Sequence, residues 1–111
     1  MNIPGEQSFV IDSAEKVIAL NTDYAFAQIT LGGRDTGTVT ATARPLLERN
    51  GVDDFESEEF EMIEGGDIDL AANPRQRTFT IENKRLSAIR FADAGAGEVK
   101  GFIRQWGRVT N

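Results

Sequence analysis

Thr38-Val39-Thr40-Ala41-Thr42-Ala43 is the stretch from which the fold can be read. Val39, Ala41 and Ala43 fall on one side and the three threonines on the other. A period of two is the mark of a strand with one face on a core and one in water. Arg77-Thr78-Phe79-Thr80-Ile81-Glu82 repeats the pattern, with Phe79 and Ile81 inward. Leu86-Ser87-Ala88-Ile89-Arg90-Phe91 carries it on, and in the last run Val99 and Ile103 oppose Phe102 and Trp106. Valine, isoleucine and threonine number six, nine and nine, residues stiff at χ1 that fit a pleated surface.

Turn signals separate these runs at regular intervals. Gly32-Gly33, Asn50-Gly51, Gly65-Gly66, Asn73-Pro74, Asn83-Lys84 and Gly95-Ala96-Gly97 supply residues that tolerate the left-handed backbone region. Strands are expected at residues 8–12, 16–20, 25–31, 37–43, 58–63, 67–70, 77–82, 86–92 and 98–106. Residues 45–50, Pro-Leu-Leu-Glu-Arg-Asn, read as one helical turn, since proline fits the first helical position and Asn-Gly the end. Residues 1–7 read as an N-terminal arm and 8–111 as one domain. The expected fold is all-β: a single antiparallel β-sandwich, Ig-like or jelly-roll-like, of seven to nine strands with at most one short helical turn. Its expected core is Phe9, Ile18, Phe26, Ile29, Val39, Ala41, Phe79, Ile81, Ile89, Phe91, Val99 and Ile103.

Composition narrows the chemistry. The 111 residues include no histidine and no cysteine, which removes the commonest general base, thiol nucleophiles, disulfides and thiolate metal sites. The expectation is therefore a non-enzymatic protein without a cofactor. No apolar run reaches the length of a membrane span, and the first residues lack the basic and apolar segments of a secretory signal. The net charge of −6 argues against direct nucleic-acid binding, which draws on clustered Lys and Arg.

Local motifs add little chemistry. Asp35-Thr36-Gly37 resembles the catalytic triplet of aspartic proteases, but in that family the aspartate ends an apolar strand. Here it follows Gly32-Gly33-Arg34, a polar hairpin tip, and no second signature of that family is found, so the triplet reads as a loop. Asp67-Ile68-Asp69 and Asp53-Asp54 offer oxygen ligands for calcium without the spacing of an EF-hand loop. Glu58, Glu59, Glu61 and Glu64 offer carboxylate pairs, yet no cluster of aromatics marks a sugar cleft. Gly95-Ala96-Gly97 lacks the helix and lysine of a phosphate loop.

Charge is segregated along the chain. Residues 48–69 hold ten acids against Arg49, whereas residues 70–111 hold eight bases against three acids. An acidic segment of one copy can therefore face a basic surface of the next. The candidate interface residues are Glu58, Glu59 and Glu61, facing Arg90, Arg104 and Arg108. Phe55, Phe60 and Trp106 are the apolar candidates at its centre.

From Ala25 to Trp106 the layout resembles small all-β virion proteins of tailed bacteriophages. The resemblance lies in an apolar strand with Phe26, Ile29 and Leu31, then Thr38 to Pro45, then an acidic segment with aromatics. Asp67-Ile68-Asp69-Leu70-Ala71, the two strands at 77–91 and the closing Gln105-Trp106 follow. The resemblance implies a capsid decoration (cement) protein that stabilises the shell, or else a tail or fibre adaptor. It implies virion localisation after synthesis in the host cytoplasm, with the major capsid protein as partner. A homo-oligomer, a trimer before other rings, is expected on the charge argument. From another class, the alternative is a small carbohydrate- or ligand-binding sandwich module.

Overall fold

The computed structural model describes residues 3–49, 52–56, 60–71, 77–82, 84–93, 95 and 97–109. Among them lie nine strands and no helix: β1 (Glu6–Ile11), β2 (Glu15–Ala19), β3 (Tyr24–Gly32), β4 (Thr38–Arg49), β5 (Val52–Glu56), β6 (Glu61–Asp69), β7 (Thr78–Ile81), β8 (Leu86–Asp93) and β9 (Val99–Arg108). All pairings are antiparallel. One sheet runs β1-β9-β3-β7; the other runs β2-β8-β4, with β6 and β5 sharing the far edge of β4. With β5 set aside as an insertion, the orders 1-9-3-7 and 2-8-4-6 are those of a jelly roll. The sandwich is therefore of the jelly-roll kind, and the Ig-like alternative falls away.

The core lies between the two sheets, where the inward positions of every alternating run meet. All the expected core residues are buried except Phe26, and Ile11, Leu20, Leu31, Ile68, Leu70 and Leu86 join them. Phe26 points outward because Ala27, Ile29 and Leu31 hold the inward register of β3. The apolar run Tyr24-Ala25-Phe26-Ala27 leaves its own phase undecided, and pairing with β9 settles it. Phe9 stacks on Phe91 at 4.9 Å. Gly101, opposite Phe9 in register, makes that possible: a Cβ there would sit 2.1 Å from the Phe9 ring.

Three local expectations are overturned. Residues 45–49 are the second half of β4, not a helical turn. The Leu46 N–H donates to the Arg85 carbonyl at 2.9 Å, and Leu46 and Leu47 pair with Glu56 and Phe55. Non-local pairing has overridden a short helical preference. Pro45 sits where the register against β8 shifts, a place where a missing N–H costs little. The same shift makes Ser87 the extra residue and turns Leu86 inward beside Ile89.

Of the strands expected at 58–63 and 67–70, residues 61–63 and 67–69 belong to one strand, β6, with a register shift opposite Thr40 and Thr42, and residues 58 and 59 lie outside the described residues. Gly65 has φ of 79°, and a Cβ on Gly66 would lie 2.6 Å from the Ala41 carbonyl oxygen. The Gly-Gly pair is thus a bulge that re-aims the strand, not a turn that ends it. At the N-terminus, β1 begins at Glu6, inside the stretch read as an arm. The Gly5 carbonyl accepts the Gln105 N–H, and Ile3 accepts Asn21 Nδ2 at 2.7 Å.

Candidate interaction surfaces

β9 is central in its sheet, and its alternation decides one outer surface. Val99, Ile103 and Gln105 point in; Lys100, Phe102, Arg104 and Trp106 point out. Phe102 lies between Ser8 of β1 and Thr30 of β3, Arg104 between Glu6 and Gln28, and Trp106 beside Phe26. Phe102 is 41% exposed, Trp106 39% and Val10 37%. The indole stacks on Phe26 with ring centres 5.6 Å apart and planes 14° from parallel. The two rings stand on neighbouring strands, and each covers part of one face of the other. Trp106 belongs to an outer face. Arg108, further along, is 3.8 Å from the Asp23 carboxylate, with both side chains largely in water.

On the opposite outer face, β8 places Arg90 and β4 places Arg44 around Phe60. The two guanidinium carbons lie 4.5 and 5.6 Å from the ring centre, within cation–π range. Arg44 Nε also donates to Ser87 Oγ at 2.9 Å. Val17 and Met62 are exposed on this side. Thr40 donates to Asp67 at 2.9 Å, and Asp69 accepts the Ala71 N–H. Among the described residues no group of three acidic side chains comes together as a metal site.

The candidate interface residues are therefore divided between the two faces. Phe60 and Arg90 belong to one; Arg104, Trp106 and Arg108 belong to the other. Glu61 is at the β6 edge, 3.4 Å from Lys84. It stands at the rim of a cleft of about 300 Å³ between the sheet edges, floored by Ala43, Ile63, Ile81 and Leu86. Phe55 is opposite Leu47 in β5, and Glu58 and Glu59 lie outside the described residues.

Beneath the loop containing the Asp35 triplet is a pair that no motif announces. Arg34 Nη2 and Nη1 donate to the two Asp93 oxygens at 2.7 and 2.8 Å, and Arg34 Nε donates to the Thr36 carbonyl at 2.8 Å. Only 8% and 3% of the two side chains remain exposed. Gly95 donates to Asp93 as well, and a Cβ on Gly95 would meet the guanidinium at 2.7 Å. The hydrogen bonds from Arg34 hold the Asp93 carboxyl below its ordinary range against the opposing effect of burial, and Asp93 raises Arg34 in turn. Asp35 itself is exposed, so the triplet is the outer turn around a buried ion pair. Alternation could have found this pair: Asp93 shares the inward phase of Ile89 and Phe91, and a carboxylate aimed inward needs a cation.

No family model and no curated protein matches this chain. Among solved structures, the chain is similar to AlgX of Pseudomonas aeruginosa, with a TM-score of 0.44 and 8% identity. The match covers 92% of this chain and 26% of that one, so this chain spans about a quarter of AlgX. A likeness of that degree carries no function across.

Proposed function

We propose that this domain is a non-enzymatic structural component of a tailed-phage virion, a capsid decoration protein that seats on the shell protein. Its copies join as a homo-oligomer, a trimer before other rings, and it reaches the virion after synthesis in the host cytoplasm. The observation that carries the reading is the exposure of large apolar side chains on both outer faces of one small sandwich. Phe102, Trp106 and Val10 stand out on one face, and Val17 and Met62 on the other. A domain held between neighbours has use for two such faces, whereas a single ligand site needs one. Jelly rolls serve in viral capsids and also in lectins, so fold alone does not choose between them. The Trp106–Phe26 stack favours assembly, because it covers one face of the chain's single indole and leaves less ring face for a sugar.

The test is to purify particles carrying the chain, strip them of it, and measure shell integrity on heating. Sedimentation with shells and loss of integrity on stripping are expected. Recovery with tails alone would replace this reading by the adaptor. Retention on a glycan array, with no particle association, would replace it by the binding module.

A further inference from the structure

β1 is an edge strand with one side open. It pairs with β9, and the Gly5 carbonyl accepts the Gln105 N–H, so residues 5, 7, 9 and 11 turn their backbone groups toward β9. Glu6, Ser8 and Val10 turn theirs the other way. Among the described residues none of those N–H and C=O groups has a backbone partner. A row of unpaired groups is a template for another strand, and natural sheets blunt such edges. The edges at β2, β6 and β7 are blunted. On the open side of β2, the Ala19 carbonyl accepts Gln7 Nε2 and the Glu15 carbonyl accepts Ser13 Oγ, each at 2.8 Å. β6 carries the Gly65-Gly66 bulge, and β7 is four residues long. β1 runs for six residues with no bulge and no proline.

This edge complements itself in one register. In antiparallel pairing about an axis at Ser8, Glu6 lies opposite the second copy's Val10, and Ser8 lies opposite Ser8. Every open N–H then meets an open C=O. Moving the axis to Gln7 sets Val10 against Pro4, which has no N–H to give. Moving it to Phe9 sets Glu6 against the exposed Asp12, and like charges directly opposite oppose pairing. Side chains agree with the Ser8 axis. Arg104 is in register with Glu6, and Lys100 with Val10. Across the joined sheet the row reads Arg104, Glu6, then the second copy's Val10 and Lys100. Each Glu6 thus stands between a cation of its own copy and one of the next. Val10, exposed in the single copy, gains a cross-strand neighbour.

We infer that β1 pairs with β1 of a second copy across a two-fold axis at Ser8, joining their four-stranded sheets into one. The inference rests on the homo-oligomeric part of the proposed function and is independent of the virion part. It fixes an element of symmetry that a ring alone lacks. Trimers formed through other surfaces are paired by the same contact, so the assembly holds an even number of copies.

Sedimentation of the full chain at about 100 μM tests it, together with single-cysteine variants. The chain has no cysteine of its own, so Ser8→Cys and Val10→Cys each carry one thiol. At the Ser8 axis two residues 8 stand about 5.5 Å apart between Cα atoms, within disulfide reach. Two residues 10 are displaced by about 13 Å along the strands. A dimer, or a pair of trimers, is expected from the natural sequence. Under a mild oxidant Ser8→Cys should link into covalent dimers and Val10→Cys should not. Ser8→Pro, which removes the central donor, should weaken association by roughly tenfold or more. If that variant fails to fold, the cysteine pair decides alone. A monomeric natural chain overturns the homo-oligomer reading and this inference with it. An odd number of copies overturns this inference only, as does a Ser8→Cys chain that links no faster than Val10→Cys.

Discussion

Arg34 and Arg104 have the same chemistry in opposite surroundings. Arg34 is enclosed, holds both oxygens of Asp93, and is pressed by Gly95, where a Cβ would lie 2.7 Å from the guanidinium. Arg104 stands in water between two exposed rings, with Glu6 opposite but no ion pair formed among the described residues. A buried charge with its hydrogen bonds satisfied holds a fold together, because removing its partner strands it in a poor dielectric. An exposed one contributes almost nothing to the fold and is available to whatever approaches. The first arginine therefore reports on stability and the second on association.

Replacing Asp93 by alanine should have the largest effect, about 3 kcal/mol lost in urea unfolding, since Arg34 would remain buried without its carboxylate. An unchanged midpoint would break the contrast at its stronger end. Gly95→Ala acts on the same pair from outside. Its Cβ would press on the guanidinium, and a loss of about 1–2 kcal/mol is expected in the same measurement.

The pH dependence has a definite sign. Asp93 has a lowered folded pKa, so its contribution is present above the ordinary aspartate value of about 4 and disappears as pH falls through the folded value. Urea midpoints followed from pH 7 downward should show this loss in the natural chain and not in Asp93→Asn. Parallel curves for the two would mean that the pair carries no linkage.

On the outer face, Trp106→Ala should cost the fold about 1–2 kcal/mol, the stack on Phe26 together with the covered part of the indole, while reducing self-association in sedimentation. The smallest effect on stability belongs to Arg104→Ala, within about 0.5 kcal/mol of the natural chain. A large destabilisation there would show that Arg104 belongs to the fold after all.

Much of this architecture is legible in the amino-acid sequence. Thr38 to Ala43 and Thr78 to Ile81 announce their two sides by type, and those sides are the ones observed. The same alternation puts Trp106 and Phe102 together on the face away from Val99 and Ile103. It fails where both phases are apolar, as at Phe26, and where a bulge changes phase within a strand, as at Ser87 and at Gly65-Gly66. The candidate interface residues are readable as a set of types, but not their division between two sides of the molecule.

What the sequence determined by itself was whatever the pleat dictates within one strand: the fold class and, in the strands that alternate by type, which residues share a side. Successive side chains must point to opposite sides whatever the strand pairs with. Tertiary structure alone decided which strands are neighbours, that β4 runs on through Pro45 to join β5, and that Arg34 reaches Asp93 59 residues away. Such choices depend on partners distant in the chain. Their free energy comes from burial and charge pairing that exist only once the two sheets have closed on one another.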